Sequence, residues 1–140
     1  MLKVGETGTF GVGERFGENY RETTKLQVTV VSAKEVTPDT SVKPKNGRYV
    51  ELTLTIKNVG KGLGDVMTYD MMRWESADTA AQDASTLEGV GEGQSIDTTY
   101  KPGQSVTGKL ILDVGDGGTV SYVGTDVPYA EAAFKVELPA

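Results

Sequence analysis

"YVELTLTIKN", residues Tyr49 to Asn58, decides the fold class. The apolar residues of this stretch stand at every second position, at Val50, Leu52, Leu54 and Ile56. Because successive side chains of a β-strand point to opposite faces, this period predicts a half-buried strand. A Pro/Asn/Gly cluster precedes the stretch and three glycines follow it, and such residues are typical of turns.

Other short stretches of the chain show the same period of two. "LQVTVVSAKEV" predicts a strand that bends or bulges near Ser32. "SVTGKLILDV" predicts a strand with Leu110 and Leu112 on one face and Ile111 and Asp113 on the other. "TVSYV" and "AFKVEL" predict shorter strands, and weaker patterns occur in "MTYDMMRW" and in Glu6 to Phe10. About seven to eight strands predict an all-β antiparallel sandwich, with a barrel as the alternative. The predicted core residues are Val50, Leu52, Leu54, Ile56, Leu110, Leu112 and Phe134.

The chain of 140 residues predicts one domain, 1–140, because no linker or internal repeat interrupts it. Residues 1–24 are expected to form an N-terminal strand and a lead-in loop, with Gly11 to Glu22 mobile. Residues 75–96 are expected to form a mobile, poorly packed acidic loop, because their Ala, Ser, Thr and Gly content offers little apolar area. The Ala-rich "SADTAAQDAS" within this segment leaves a helical turn or two open.

The stretch between Trp74 and Tyr100 carries the whole net charge of −6. The 14 Lys and Arg residues are balanced by the acids outside it, and the segment itself has six acids and no base: Glu75, Asp78, Asp83, Glu88, Glu92 and Asp97. An acidic chain without a basic stripe repels phosphate backbones and anionic lipid surfaces, so we expect no nucleic-acid partner. No apolar run approaches the ~20 residues of a membrane span, and we expect no direct membrane insertion by this domain.

The sequence contains no cysteine and no histidine. Disulfides, thiolate or imidazole metal sites, cysteine nucleophiles and His-dependent triads are therefore excluded. Catalysis would depend on carboxylate, Ser, Lys or Tyr groups, and the sequence singles out no pair of them. We therefore expect no enzyme and no catalytic residue, with a carboxylate-dependent hydrolase as the alternative.

Two glycine-containing motifs resemble ligand-binding loops. "GQSVTGKL" comes within one residue of the phosphate-binding pattern G-x-x-x-x-G-K-[ST], but Leu110 stands where the hydroxyl is needed and Pro102 precedes the first glycine. "DVGDGG" offers Asp113 and Asp116 to a calcium ion, but a hairpin turn explains these residues without one. We therefore expect neither a cofactor nor a bound metal.

Several stretches together resemble a known family: "VGETGTF", "LQVTVVSAKEVTP", "NGRYVELTLTIKNVG", and "YKPGQSVTGKLILDV" followed by "VSYV". Their order and spacing are similar to those of the Ig-like domain of unknown function found in secreted proteins and lipoproteins of Gram-positive bacteria and their phages. That domain is related in fold to the mycobacterial immunoprotective extracellular protein. The resemblance implies an Ig-like sandwich in which Pro102 and Gly103 make a turn and Gly108 marks a close strand approach or a bulge.

The resemblance also implies where the domain works. It implies export, with a signal or lipid anchor upstream of Leu2, and hence an extracellular or cell-surface location; the cytoplasm is the alternative. It brings no catalytic residues with it. We therefore expect a non-catalytic extracellular binding or interaction module of a bacterial secreted protein or lipoprotein, with a cytoplasmic structural domain as an alternative. The expected partner is a protein or a cell-envelope ligand, and the sequence leaves its identity and the oligomeric state open.

The candidate partner-binding residues lie in and beside the acidic segment, where the only Trp stands. On a strand, Met72 and Trp74 share one face and Tyr69 and Met71 the other, so one pair is expected in the core and the other is open to a partner. Trp, Tyr and Met are enriched at interfaces, and the acids would steer a basic partner. The residues predicted to contact it are Met72, Trp74, Asp78, Asp83, Glu88 and Glu92.

Overall fold

The structure, a computed structural model, describes residues 1–87, 93–123 and 132–139 of the chain. Ten strands occur in these ranges: β1 (Thr7–Phe16), β2 (Asn19–Val36), β3 (Arg48–Asn58), β4 (Gly64–Asp65), β5 (Met72–Glu75), β6 (Gln82–Asp83), β7 (Thr99–Tyr100), β8 (Ser105–Val114), β9 (Thr119–Tyr122) and β10 (Phe134–Glu137). Seven of the ten have four residues or more. Within the same ranges no helix is long and apolar enough to cross a membrane.

Two four-stranded sheets share one core. The first sheet has the strand order β1-β2-β3-β8 and the second has the order β10-β9-β5-β6, while β4 and β7 form a small separate pair. Every pairing between these strands is antiparallel. The buried apolar side chains of both larger sheets form a single cluster. The predicted all-β, Ig-like antiparallel β-sandwich is therefore confirmed, and the barrel alternative is not.

The core follows the predicted alternation. Six of the seven predicted core residues are buried: Val50, Leu52, Leu54, Ile56, Leu112 and Phe134. The seventh, Leu110, is partly buried and packs against them. Ile111 and Asp113 alternate with the core residues Leu112 and Val114, and their side chains are buried as well, although Ile111 lies outside the core cluster. Loop residues reach this part of β8: the backbone N–H of Leu87 donates to the Ile111 carbonyl, and that of Lys45 donates to the Asp113 carboxylate.

Truncating the centre of β3 tests this core. We expect Leu54→Ala to lower the free energy of unfolding by about 2 to 5 kcal/mol, because it leaves a cavity among fully buried neighbours. Urea-induced unfolding followed by circular dichroism measures the change. Val31→Ala, at an exposed position on the bulge of β2, is the matched control and should stay within about 0.5 kcal/mol of the parent. A Leu54→Ala protein as stable as the parent would contradict the described packing.

The lead-in loop predicted over Gly11 to Glu22 is wrong, because β1 and β2 form a long hairpin there. Phe16 pairs with Asn19 across a two-residue turn, in which Gly17 has a φ of 63°. A glycine with positive φ at the first turn position matches the twist of the flanking strands. The bulge predicted near Ser32 is confirmed by a register shift between Val30 and Ser32.

The acidic segment 75–96 is also packed more closely than predicted, in its described parts 75–87 and 93–96. Strand β6 pairs with β5, so this part of the segment belongs to the second sheet. Ala84 and Ile96 are buried and contribute to the core. These two apolar side chains supply burial that the polar composition did not suggest, and the backbone pairing of β6 adds to it. The helical turn left open for 76–85 does not form, since the chain is extended or bent there.

Two pieces of the same segment run along the outer edge of β8. Residues 85–87 exchange backbone hydrogen bonds of 2.8 and 3.0 Å with Ile111 and Asp113. Further along the edge, Gln94 forms a parallel bridge with Gly108. A Cβ atom on Gly108 would lie 2.5 Å from the Gln94 carbonyl oxygen, so a side chain has no room there. The close approach predicted at Gly108 is therefore confirmed.

Two predicted turns have different outcomes. The Pro102–Gly103 turn is confirmed: the N–H of Gln104 donates to the Lys101 carbonyl over 3.0 Å, and Gly103 has a φ of 84°, as a type II turn requires. The hairpin predicted for "DVGDGG" is wrong, because β8 and β9 lie in different sheets. That turn carries the chain from one layer of the sandwich to the other.

Candidate recognition surface

Two of the predicted partner-binding residues lie inside the protein. Met72 is 1% exposed and Trp74 is 5% exposed, and both belong to the core. The indole N–H of Trp74 donates to the Gly117 carbonyl over 2.9 Å. Their strand β5 is an inner strand of the second sheet, so its apolar face packs against the first sheet. The prediction that Met72 and Trp74 offer a contact surface is therefore wrong.

The predicted acidic contacts are spread apart by the fold. Asp78 and Asp83 are both exposed, and the Asp83 carboxylate lies 3.3 Å from Nε of Arg73. Glu88 and Glu92 lie outside the described residues. Strand β5 has no exposed apolar side chain, so neither Asp78 nor Asp83 lies beside one on that strand. A partner contact through Asp78 and Asp83 stays a prediction.

An exposed apolar row lies on residues 63–69, a stretch that includes β4. Gly64, Val66 and Thr68 point inward and are buried. The alternate side chains point outward, and the three large ones are 56% exposed at Leu63, 59% at Met67 and 51% at Tyr69. We call these three residues the apolar row. Tyr69 belongs to the pair that the sequence left as the second possibility beside Met72 and Trp74.

The backbone beneath the apolar row is fixed by the fold. The N–H groups of Val66 and Met67 donate over 3.0 Å, to the Thr98 carbonyl and to the Tyr122 hydroxyl. The next two N–H groups, of residues 68 and 69, both donate to the carboxylate of Asp97. A backbone held in this way loses little conformational freedom when its side chains bind a partner.

Asp97, one of the six acids between Trp74 and Tyr100, therefore has a structural role. Besides the two backbone bonds, its Oδ1 accepts the hydroxyl of the buried Thr68 over 2.7 Å. Nearby, Tyr100 donates its hydroxyl to the Ile96 carbonyl over 2.8 Å. Burial, and then the negative charge of Asp97, raises the pKa of Tyr100. This tyrosine stays protonated and acts as a donor throughout the physiological pH range.

A glycine-rich loop holds the first residue of the apolar row in place. The buried side chain of Asn58 accepts from the Thr24 hydroxyl and the Gly60 N–H, and donates to the carbonyls of Gly62 and Tyr100, over distances of 2.7 to 3.0 Å. The amide thus uses both its oxygen and its nitrogen within the fold. A Cβ atom on Gly60 or Gly62 would come within 2.3 Å of β2, so only glycine allows the loop to lie this close.

A cavity of about 490 Å³ adjoins the apolar row. Its lining combines apolar and glycine residues with two carboxylates and two hydroxyls: Val12, Gly13, Glu14, Thr23, Gly62, Leu63, Asp65 and Thr99. Leu63 belongs to both the cavity and the row. The Thr99 hydroxyl donates to the Asp65 carboxylate, which fixes that side chain at the cavity wall. The site can therefore take an apolar group beside a polar or cationic one.

A second cavity, of about 340 Å³, lies beside the loop of residues 37–47. Its polar groups serve the fold. Nη1 of Arg48 lies 3.5 Å from the Glu35 carboxylate, and Nε of Arg48 donates to the Gly115 carbonyl over 2.7 Å. The Tyr49 hydroxyl donates to the Val42 carbonyl and closes the loop. The larger cavity is the stronger candidate, because it adjoins the three exposed side chains of the apolar row.

The carboxylates of "DVGDGG" do not form a metal site in the described part of the chain, where no group of three or more metal-binding side chains occurs. Asp113 is buried and accepts the backbone N–H groups of Lys45 and Asn46 over 2.6 and 2.8 Å. Asp116 is exposed and lies 3.9 Å from Nε of Arg48. Asp113 therefore holds the neighbouring loop of Lys45 and Asn46, and Asp116 stays at the surface.

Two solved structures resemble this fold. One is the secreted protein MPT63 from Mycobacterium tuberculosis, with a TM-score of 0.57 and 19% sequence identity over 99% of this chain and 95% of that one. The other is a predicted lipoprotein, ycdA, from Bacillus subtilis subsp. subtilis str. 168, with a TM-score of 0.60 and 17% identity. It is matched by 90% of this chain, which covers 39% of the ycdA chain. At these identities the similarity shows the fold alone.

Sequence comparison gives the family. A search of curated proteins finds no match. Residues 17–133 match the family model described as a domain of unknown function, DUF4352. This range includes the hairpin turn and the apolar row. Since the match extends over most of the chain, the protein belongs to the DUF4352 family of domains of unknown function.

Proposed function

We propose that the protein is a non-catalytic recognition module of an exported bacterial protein, and that it binds its partner through the apolar row. One observation carries the proposal. Three large apolar side chains remain more than half exposed on a backbone whose N–H groups are bonded to the fold. Solvent-exposed Met and Tyr side chains on a rigid support are typical of the anchors at protein interfaces.

The chemistry of the chain supports binding over catalysis. The sequence has no His or Cys, and several carboxylates are engaged by the fold, since Asp97 and Asp113 accept backbone N–H groups and Asp65 accepts a hydroxyl. A carboxylate-dependent hydrolase needs one carboxyl free to move a proton and a second positioned beside it. Asp65 and Glu14 at the cavity are better suited to attracting a cation.

Export is part of the proposal. Its supports are the family resemblance of the sequence and the two similar structures, one of a secreted protein and one of a predicted lipoprotein. We place the domain outside the cell or at its surface, where the partner is a protein or another envelope component. Detection of the protein in culture medium or on intact cells, with a cytoplasmic protein as the marker for lysis, tests this placement.

A photo-crosslinking amino acid at Met67 tests the recognition surface. We expect ultraviolet irradiation of cells carrying this variant to give a discrete crosslinked species, because Met67 lies at the centre of the row. Mass spectrometry then identifies the partner. Adding Leu63→Ser and Tyr69→Ser to the same variant should remove the crosslinked species, because both anchors beside Met67 are lost.

Two controls use exposed apolar residues elsewhere on the molecule. The same photo-crosslinker at Val31 or at Val42 should give no such species, although both positions are also exposed. Identical products from all three positions would show nonspecific contact. The absence of any product at Met67, in a protein shown to be folded and exported, would refute binding through the apolar row.

A further inference from the structure

We infer that the apolar row and the adjoining cavity bind an extended polypeptide segment in which Lys or Arg residues stand between apolar ones. The inference rests on the proposed function and names the chemistry of the partner. It depends on two independent features, the linear spacing of the exposed apolar side chains and the sign of the charge between and beside them.

The spacing favours an extended chain as the ligand. Leu63, Met67 and Tyr69 project from one side of a stretch whose inner positions are buried. Six residue steps of at most about 3.3 Å give the row a length of up to about 20 Å, which about seven residues of extended polypeptide can span. A compact small molecule would contact one of these side chains, whereas an extended segment can contact all three.

The charges favour a basic segment. Asp65 projects from the same side as the row, between Leu63 and Met67, and Glu14 lies on the cavity wall. The cavity lining contains two carboxylates and no Lys or Arg. Arg21 lies near it, 3.8 Å from the Glu14 carboxylate, but both side chains of that pair are largely exposed and give weak mutual compensation. A cation entering beside Leu63 would meet negative charge that is only weakly compensated.

The geometry of the carboxylates supports the same partner. The Thr99 hydroxyl orients the Asp65 side chain, and Thr99 itself is held by the pairing of β4 with β7. Asp65 is thus positioned before the partner arrives, and a Lys or Arg stem can lie along the neighbouring apolar side chains while its head reaches the carboxylate. An anionic lipid surface would be repelled by the same groups and by the net charge of −6.

Two synthetic peptides of about ten residues, matched in Leu and Ser content, test the inference. One carries Lys at its charged positions and the other carries Glu. Titration into the full chain, followed by amide NMR spectra, measures both affinity and location. We expect the Lys peptide to shift the amide signals of residues 63–69 and to bind at least tenfold more tightly than the Glu peptide, because like charges oppose the second complex. Raising the salt from about 0.1 M to about 1 M should weaken the Lys complex.

Variants separate the two features. Leu63→Ser with Met67→Ser should lower the affinity for the Lys peptide more than tenfold, because it removes the anchors. Asp65→Asn should lower that affinity about two- to fivefold and reduce its salt dependence. Val31→Ser is the matched control on another face and should leave affinity unchanged. Thermal unfolding confirms that each variant is folded.

The failures of the two proposals can be told apart. Equal binding of both peptides, no binding of either, or binding to phosphatidylglycerol vesicles in preference to the Lys peptide would overturn the inference of a basic polypeptide partner. If the photo-crosslinker at Met67 still traps a partner in those cases, the recognition surface stands and only the assigned chemistry is wrong. Loss of the crosslinked species as well would remove the proposed function.

Discussion

Asn58→Asp is expected to lower the free energy of unfolding by about 4 kcal/mol or more, which is a large fraction of the stability of a domain of this size. In the parent, Nδ2 of Asn58 donates to the carbonyls of Gly62 and Tyr100 over 2.8 and 2.9 Å. The substitution sets a carboxylate oxygen against these two acceptors, in a place with almost no access to water. The two carbonyls lose their donor, and a buried negative charge appears that keeps only the neutral Thr24 hydroxyl and Gly60 N–H as partners.

The effect of Asn58→Asp should depend on pH. The new carboxyl has its pKa raised in the folded state, above the value of about 3.9 in the unfolded chain, because burial and the facing carbonyls disfavour its charge. The folded state then binds the proton more tightly, so the deficit is smallest below about pH 4 and grows as the pH rises towards the folded-state pKa. Urea unfolding at several pH values measures this. Asn19→Asp, at the exposed hairpin turn, is the control, and a deficit no larger than in that control would contradict the described network.

Trp74→Ala is expected to lower the free energy of unfolding by about 3 to 5 kcal/mol, since it removes the largest side chain of the second sheet from the core. The indole also supports the turn between the sheets. Its N–H donates to the Gly117 carbonyl, and a Cβ atom on Gly115 would lie 2.3 Å from the ring, so the ring and the turn are in close contact. Without the indole, the turn loses both a hydrogen bond and its packing surface.

Chemical denaturation of the variants distinguishes a core role from the contact role predicted for Trp74. Trp74→Phe should cost less than Trp74→Ala, because it keeps an aromatic ring and loses the hydrogen bond. Tyr69→Ala removes an exposed aromatic side chain and should change stability by no more than about 0.5 kcal/mol. Near-parental stability of Trp74→Ala would indicate that this side chain is not part of the core.

The strands with unbroken alternation could be predicted from sequence. In β3 the inward positions Val50, Leu52, Leu54 and Ile56 are fully buried, as the period of two predicts, and Tyr49 and Thr53 on the other face are buried in addition. The β1–β2 hairpin was missed because glycines at 8, 11 and 13 occupy positions that an alternation would need for recognition. These glycines serve close approach instead, since a Cβ atom on Gly13 would lie 1.9 Å from the Arg21 carbonyl oxygen. A residue chosen for the absence of a side chain gives no hydropathy signal.

The candidate site was harder to predict than the fold. The sequence favoured Trp74 and its neighbour Met72 as contact residues, because Trp is common at interfaces. Large apolar side chains also favour burial, and both residues lie in the core. The apolar row gives a weak pattern, since Gly64 and Thr68 stand at its buried positions and Asp65 at an exposed one. The burial of Thr68 depends on the distant Asp97, which accepts its hydroxyl. No local pattern contains that information.

The cover on the outer edge of β8 has a consequence for how the protein behaves at high concentration. Residues 85–87 and Gln94 occupy backbone positions along a strand of ten residues that would otherwise be open to another chain. An open strand edge is a template for intermolecular pairing and aggregation. The acidic segment therefore protects colloidal stability, and a variant in which it is shortened should self-associate through β8. Analytical ultracentrifugation of such a variant would detect the association, and any test of partner binding on it must first exclude that change of state.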